Sequence, residues 1–434
     1  MQQYSDLTPA SAIAEAKRCL NCKVPQCRKA CPVENDIPDW IHEVAMGNFG
    51  NALAIINAKS NLPAVCGRVC AHERQCQGSC VLGRKDRPVS IGRLEEFVAD
   101  FDAAMNLTHE NIMEKTRGRV AVIGSGPAGL TIAGELARKG VAVEIYEMGP
   151  EPGGVLMYGI PEYRLPKDVV RNEIAKIAHL GVIFHTGVTI GRDLTVDDLF
   201  AAGFDAIFIG TGTSKPKTLD VPGCDLEGVR QAIWFLRRVS LYNAGYISRE
   251  EVTVMPGHHV YVVGCGNTAI DAARTCVRCG AAEVTILYHR DITRMAALRS
   301  EYNDAVAEGV KFRWNTNLTS INGTPDGGHV ASIDIECEGE HITLPADRVL
   351  MAVGSVPAAR IVSTTAGIDV DDKGYVVTRD NPFGMTTRKG VFAGGDVAGR
   401  PATVVHAMQN AREVAGGILR YLDAKKLFEA IDDK

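Results

Sequence analysis

The sequence is poor in several features that would assign it quickly. No apolar run approaches the ~18–20 residues of a membrane span. The opening residues, Met1-Gln2-Gln3-Tyr4-Ser5-Asp6, have neither the basic start nor the apolar core of a secretion signal. Positive charge is not in excess: Lys and Arg total 47 against 52 Asp and Glu, for a net charge of −5, which argues against nucleic-acid binding. There is no short repeat and no low-complexity tract. Residues 1–115 contain few runs of β-branched residues. The expectation is a soluble cytoplasmic protein with no membrane or nucleic-acid partner. At ~150 residues per domain, 434 residues give two to four domains.

Two residue types are abundant and unevenly placed. Glycine numbers 44, which signals several sharp turns or close approaches to a ligand. Cysteine numbers 13, and eight of these fall between Cys19 and Cys80. A reducing cytosol does not favour a disulfide framework, so this cluster reads first as metal-binding.

Segments Ala10–Arg18, Trp40–Met46, Phe49–Lys59 and Ile91–Met105 read as helices, which makes residues 1–115 an all-helical module. From Gly118 the pattern becomes strand, glycine turn, helix, strand. It runs once through Arg119–Ile123, Leu130–Lys139 and Val141–Tyr146, and again through His259–Val263, a helix to about Arg278, and Glu283–Tyr288. Short apolar strands alternating with helices give parallel βαβ units. Two further strands end in glycine, at Gly210 and Gly354, and mark the crossings into and out of an inserted domain. The predicted fold is α/β: a helical module at 1–115, a first Rossmann-like domain at 116–213 and 351–434, and a second at 214–350. Thr324–Gly328 reads as a turn.

Each glycine turn has a stated task. In Gly124-Ser-Gly126-Pro127-Ala128-Gly129 the first glycine turns the chain and the second lets backbone approach a pyrophosphate. The third lets helix and strand pack closely, and the helix N-terminus faces phosphate charge. Glu147, at the end of the next strand, suits a ribose diol. Gly264-Cys-Gly266-Asn267-Thr268-Ala269 repeats the form. Its second strand ends at Tyr288-His289-Arg290, with Arg294 close by and no acid at the ribose position. Arginine there suits a 2′-phosphate and favours NADP(H) over NAD(H). The bland alternative is a set of solvated strand-end residues, with Asp291 opposing their charge.

Two dinucleotide folds in one chain suggest one resident flavin and one exchangeable nicotinamide. The first fold is the flavin candidate. A late strand ends at Gly394-Gly395-Asp396, and Thr403 opens a helix over Val404–Leu419 whose N-terminus could stabilise reduced-flavin charge. The cysteines form two runs, Cys19-x2-Cys22-x4-Cys27-x3-Cys31-Pro32 and Cys66-x3-Cys70-x5-Cys76-x3-Cys80. Eight thiolates from tight loops can hold two [4Fe-4S] clusters, while four can hold structural zinc. A neighbouring flavin domain favours clusters, which give its electrons a path.

These runs, with both glycine turns, Glu147, Pro152-Gly153-Gly154, Tyr158-Gly-Ile-Pro161, Arg164-Leu-Pro-Lys167 and Ala393–Asp396, resemble the small subunit of glutamate synthase. They equally resemble the N-terminal half of dihydropyrimidine dehydrogenase, its bacterial NAD-linked subunit, and the large subunit of ferredoxin:NADP transhydrogenase. The resemblance covers nearly the whole chain. It implies a crossed ligation, with Cys19, Cys22, Cys27 and Cys80 on one cluster and Cys31, Cys70, Cys76 and Glu95 on the other. Cys66 is then spare. For Glu95 the alternative is an exposed helical glutamate beside Glu96.

The resemblance further implies FAD contacts at Gly124, Gly126, Pro127, Ala128, Gly129, Glu147, Gly154, Val155, Arg164, Val188, Gly395, Asp396 and Thr403. Nicotinamide contacts are implied at Gly264, Gly266, Asn267, Thr268, His289, Arg290, Arg294, Ala352 and Gly354. Asn267 departs from the aspartate of many relatives, and His289 from their arginine.

Other candidates read as structural. Cys276-x2-Cys279 falls late in a helix and reads as packed cysteines. No Cys-x4-Cys follows the first turn, which argues against a dithiol reductase of the lipoamide type. His72, His179 and His406 lack partners at metal spacing, and Trp40, Trp234 and Trp314 read as core. The expected function is an FAD and iron–sulfur oxidoreductase subunit. It would oxidise NAD(P)H and pass electrons through two [4Fe-4S] clusters to a larger FMN-containing partner or to ferredoxin, forming a heteromer. The rivals are a dihydropyrimidine dehydrogenase or bifurcating transhydrogenase subunit, and a zinc-stabilised interaction module fused to a diaphorase. Residue 2 is Gln2, and neither an amidotransferase segment nor an FMN barrel is evident, so no second substrate site is expected.

Overall fold

The computed structural model describes residues 7–432 except 109, 326, 359 and 400–402. The chain forms two compact units: Met1–Leu156 with Arg164–Ser214 and Val356–Lys434, and Met157–Tyr163 with Lys215–Ser355.

The first unit begins with helices Pro9–Ala16, Ile37–Ala45, Phe49–Asn57, Pro63–Val69 and Ile91–Met105. Thr8 opens the first by exchanging side-chain and backbone hydrogen bonds with Ser11. The helices close on Trp40, Ile41, Leu53, Ile56 and Leu94, all fully buried, and on an aromatic group of Phe49, Phe97 and Phe101. Asn106 takes a left-handed conformation (φ 51°) and ends the last helix. The Pro63–Val69 helix lies outside the expected set, because it is short and contains a glycine. That glycine does the packing: a Cβ on Gly67 would lie 2.5 Å from the Glu96 backbone nitrogen, so the two helices touch there.

Behind this module lies a seven-stranded sheet. Its order is Thr378–Asp380, Phe383–Thr386, Val391–Ala393, Ala206–Ile209, Arg119–Ile123, Ala142–Glu147, Ile183–Thr186. The last five run parallel, and the first two form an antiparallel edge. Arg119–Ile123 and Ala206–Ile209 are central and almost wholly buried, as their unbroken apolar character requires. Helix Val404–Asp432 runs past the expected end at Leu419 and packs on helix Pro127–Ala137.

The second unit holds a five-stranded parallel sheet ordered Val229–Gln231, Arg348–Met351, His259–Val263, Glu283–Leu287, Lys311–Arg313. A three-stranded antiparallel sheet, Thr316–Gly323, Val330–Cys337 and Glu340–Pro345, is added to it; the expected turn at Thr324–Gly328 falls between its first two strands, with residue 326 outside the described residues. The seven residues Met157–Tyr163 belong here. Tyr163 donates to the carbonyl of Asp271 (3.2 Å), and Arg274 and Arg278 lie over its ring at 4.6 and 4.1 Å.

The tryptophans divide. Trp40 is core at 1% exposed, whereas Trp234 is 37% exposed and flanked by Arg230 and Arg238, which corrects the expectation. An indole face covered by guanidinium groups needs no apolar burial. Trp314 is half-buried and stacks on Phe312 at 5.4 Å. Cys276 is fully buried among apolar side chains with Cys279 against the same cluster, and burial raises both thiols. Among the described residues no helix is long and apolar enough to cross a membrane.

Candidate functional site

Both glycine turns are built alike. Gly124 adopts φ +95° and Gly264 φ +119°, conformations open to glycine. A Cβ on Gly124 would meet the carbonyl of Gly210 at 2.8 Å, and one on Gly264 the carbonyl of Ala352 at 2.5 Å. Each turn is therefore held against the neighbouring strand's end. A Cβ on Gly129 would lie 1.9 Å from the Gly124 carbonyl, the close helix–strand packing that the third position demands. At Gly126 and Gly266 a Cβ would meet nothing within 4 Å. Backbone N–H groups and a helix N-terminus thus border open space in both units, which fits a pyrophosphate. Pro127 starts the first helix, where a missing N–H costs nothing, with Ala128 behind it.

Glu147 ends its strand beside the first turn, but its oxygens are engaged. Oε2 accepts from the backbone N–H (3.1 Å) and hydroxyl (2.5 Å) of Ser125, and Oε1 from the N–H of Gly149 (2.7 Å). Val188 N–H donates to the Glu147 carbonyl (3.0 Å), and Gly153 N–H to the Ser125 hydroxyl (2.9 Å). Ser125 therefore ties together the turn, the strand-end acid and the Gly153-Gly154 loop, and only the x of a GxG pattern marked it in the sequence. Val155 follows and is exposed; Arg164 is partly buried. Gly395 N–H donates to Asn410 Oδ1 (2.8 Å), which holds the Gly395-Asp396 turn to the long C-terminal helix. Thr403 caps that helix, its hydroxyl 2.6 Å from His406 Nδ1.

In the second unit Asn267 and Thr268 are exposed at the start of helix Asn267–Arg278, and Asn267 Oδ1 accepts from Leu298 N–H (3.0 Å). His289, Arg290 and Arg294 are exposed at and just beyond the strand's C-terminal end. The Asp291 carboxylate among them caps Thr293, accepting from its N–H (2.7 Å) and its hydroxyl. Gly354 has φ +96°, and its carbonyl accepts from Lys217 N–H (2.9 Å).

The fold re-sorts the two cysteine runs. Cys19, Cys22, Cys27 and Cys80 line one cavity walled by Leu20, Ile37, Ile41, Val89 and Ile91. Burial raises Cys19, with the charges of Cys22 and Cys80 adding to the effect, and pushes Cys27 up to about 11, with Cys19 and Cys80 adding. Cys31, Cys70, Cys76 and Glu95 form the second group, close enough that the Glu95 charge raises all three thiols. Burial pushes Cys31 to about 11 and Glu95 to about 8, Glu173 adding to the latter. Cys70 stands well above its ordinary range because it hydrogen-bonds to Cys66 and is desolvated. Thiols this reluctant to ionise become thiolates when a cation holds them, which fits a metal cluster. Among the described residues no three such side chains gather tightly enough for one metal ion; the first group rings a space instead.

Residues beside the second group touch two helices that pack on the seven-stranded sheet. Cys66 Sγ lies 3.7 Å from Met408 Sδ on the C-terminal helix, and Asn61 Nδ2 donates to the Leu130 carbonyl (3.1 Å) behind the first glycine turn. Arg412 donates to the Ala58 carbonyl (3.0 Å). Glu173, 1% exposed on helix Lys167–His179, faces Lys176 (3.0 Å), and its second oxygen has no hydrogen-bond partner. Met408, Asn410 and Glu173 were not singled out by the sequence, because each acts through a neighbour far along the chain, and Cys66, read there as the spare cysteine, gains its contact to Met408 only in the fold.

Comparison with known proteins agrees with this geometry. Residues 1–107 match the dihydropyrimidine dehydrogenase domain II 4Fe-4S cluster family, and residues 118–411 match the pyridine nucleotide-disulphide oxidoreductase family. The glutamate synthase [NADPH] small chain of Halomonas elongata is 36% identical over 97% of this chain and 93% of its own. That of Escherichia coli is 34% identical over the same shares. The NAD-dependent dihydropyrimidine dehydrogenase subunit PreT of Escherichia coli is 34% identical over 97% and 98%. Among solved structures, FprA of Mycobacterium tuberculosis (His57Gln mutant) has a TM-score of 0.59 at 20% identity over 72% of this chain and 86% of that one. Lactococcus lactis thioredoxin reductase has a TM-score of 0.56 at 24% identity over 71% and 99%, a likeness of fold. Fold and site define an NAD(P)H-dependent flavin and iron–sulfur oxidoreductase, and the zinc reading gives way to the 4Fe-4S match. The chain belongs to the family of glutamate synthase small chains and PreT-type subunits within the pyridine nucleotide-disulphide oxidoreductases.

Proposed function

We propose that this chain is the electron-input subunit of a two-protein reductase of the glutamate synthase kind, oxidising NADPH in preference to NADH and serving a larger catalytic partner. The observation that carries this is the contact of Cys66 and Asn61 with the helices of the first glycine-turn domain, which supports reading the second cysteine group as the one nearer the flavin. Among the described residues the first group's cavity is lined from residues 19–91 alone, which supports reading it as the exit. The proposed division is an iron–sulfur domain at 1–115, an FAD domain at 116–213 and 351–434, and a nicotinamide domain at 214–350.

When bound, the flavin supplies hydride acceptance from nicotinamide, and the clusters supply one-electron transfer. The residues position and tune. Gly124, Gly126 and Gly129 shape the FAD pyrophosphate cradle, and Pro127 and Ala128 start the helix aimed at it. Glu147, held by Ser125, faces the ribose, while Gly154, Val155, Arg164, Val188, Gly395, Asp396 and Thr403 complete the FAD contacts. Gly264, Gly266, Asn267, Thr268, Ala352 and Gly354 take the nicotinamide nucleotide. His289, Arg290 and Arg294 supply cations for a 2′-phosphate, and the capping role of Asp291 turns its carboxylate toward its own turn. Cys19, Cys22, Cys27 and Cys80 hold one cluster; Cys31, Cys70, Cys76 and Glu95 hold the other. A carboxylate ligand there alters that cluster's charge and so its potential.

The test is an anaerobic titration of the reconstituted protein with NADPH and NADH. NADPH should bleach the flavin absorbance, and Arg290→Glu should reduce the NADPH advantage about tenfold, the worth of one charge-assisted contact. A protein that binds no flavin after reconstitution overturns the reading. Equal efficiency with both nucleotides, unchanged by the substitution, removes the NADPH preference. A dihydropyrimidine dehydrogenase role is the second reading, supported by the nearly complete match to PreT; pyrimidine reduction with a co-purified partner would select it.

A further inference from the structure

The chain as a whole is acidic, yet the segments around the first cysteine group are basic. Between residues 17 and 29 the chain has Lys17, Arg18, Lys23, Arg28 and Lys29 and no acid. Between 84 and 93 it has Arg84, Lys85, Arg87 and Arg93 against Asp86 alone. Most of these cations are exposed, as are Leu20 at 61% and Val24 at 57%, and Leu20 itself lines the Cys19–Cys80 cavity. The segment carrying Val89 and Ile91, which wall that cavity, also forms a second recess of about 510 Å³ with Arg18, Arg87 and Arg93 on its lining. Glu15 orients two of these, pairing with Arg18 and Arg87 at 2.8 Å each. Asp36 pairs with Arg28 at 2.8 Å. Nine cations against Asp86, Glu15 and Asp36 leave a clear positive excess beside two exposed apolar side chains.

We infer that this face is the docking surface for an electron-accepting protein whose own contact face is acidic. The inference rests on the reading of the first cysteine group as the exit. Charge complementarity selects the partner. A ring of cations steers an acidic surface into place and speeds encounter, while Leu20 and Val24 supply the dry centre through which the redox groups approach. Arg87 and Arg93, exposed on the neighbouring recess, extend the positive border of this face.

The probes are native cytochrome c, which is basic, and succinylated cytochrome c, whose lysines have been converted to acids. Both have the same haem. Each NADPH oxidised delivers two electrons, reducing two haem irons and releasing one proton. The flavin- and iron-loaded full chain is assayed anaerobically with each probe at low and at raised salt, with a small dye as a third acceptor. The succinylated probe should be reduced about tenfold faster at low salt, and the advantage should fade as the Debye length shrinks to ~10 Å at 0.1 M. Lys17→Glu/Lys23→Glu/Lys29→Glu should invert the preference and leave dye reduction unchanged. A wild-type protein that favours the native probe, ignores salt, or reduces neither cytochrome while reducing dye overturns the docking surface and spares the proposed function. Failure to reduce dye as well overturns the proposed function and the docking surface together.

Discussion

The two cysteine groups share a module and differ in almost everything around them. The first rings a cavity with partly exposed thiols, apolar walls and a border of cations. The second includes a carboxylate and a buried neighbouring acid, and Cys66 beside it reaches the C-terminal helix of the flavin-type domain. In the proposed arrangement one group is approached from outside and the other receives from within. Electrons moving one at a time need both kinds of setting, because an outward-facing centre can meet a partner only where solvent and charge let the partner dock.

The sharpest way to break the contrast is to remove a thiol from each side. Cys80→Ser should erase one paramagnetic signal and cut protein-acceptor reduction about 100-fold, with NADPH-to-dye activity kept. Cys76→Ser should erase the other signal and have the same effect on the protein acceptor. Identical losses of one shared signal in the two variants would show that the groups are not separate.

Acidity should then tell the groups apart with opposite sign. Burial holds Glu95 near 8, above its value in an unfolded chain. An acid raised on folding contributes stability that is present below pH 4.5 and lost as pH climbs through 8. In iron-depleted protein, melting temperature should therefore fall between pH 6 and 8, and Glu95→Gln should restore a few kcal/mol at pH 8. Glu15 behaves in reverse. Burial draws it up, but Ser90 N–H, Arg87 and Arg18 outweigh that and hold it below the usual 4.5. Its stabilisation is present above that value and lost as pH falls through the lowered one. Glu15→Gln should cost about 1–3 kcal/mol at pH 7 and little at pH 3. Denaturant melts across pH decide both.

The mildest change concerns the cysteine beside the second group. Cys66→Ala should leave both cluster signals in place and cost about 1 kcal/mol of stability through the lost contacts to Cys70 and Met408. Loss of a signal would make Cys66 a ligand.

Much of this plan is visible in the chain before folding. Helix Ile91–Met105 is found at its expected bounds because its apolar spacing and Asn106 mark it locally. The glycine turns are equally local, since strand, turn and helix lie within about 20 residues. The pairing of cysteines is not local. Spacing alone offers two runs of four, and only the approach of helix Pro63–Val69 to helix Ile91–Met105 at Gly67 carries Cys70 toward Glu95. The resemblance to relatives supplied that grouping; spacing did not. Ser125 and Asn410 were hidden for the same reason, as each holds a backbone group that a distant segment supplies. The antiparallel sheet at 316–345 escaped because its strands alternate polar and apolar residues without glycine fingerprints.

One measurement reaches the centre of the account: iron and acid-labile sulfide per chain in anaerobically prepared protein, read with the electron paramagnetic resonance spectrum after NADPH reduction. Two four-iron clusters require about eight irons per chain and two distinguishable signals. Four irons or fewer, or a chain that NADPH leaves diamagnetic, would contradict the serial arrangement from which the rest follows.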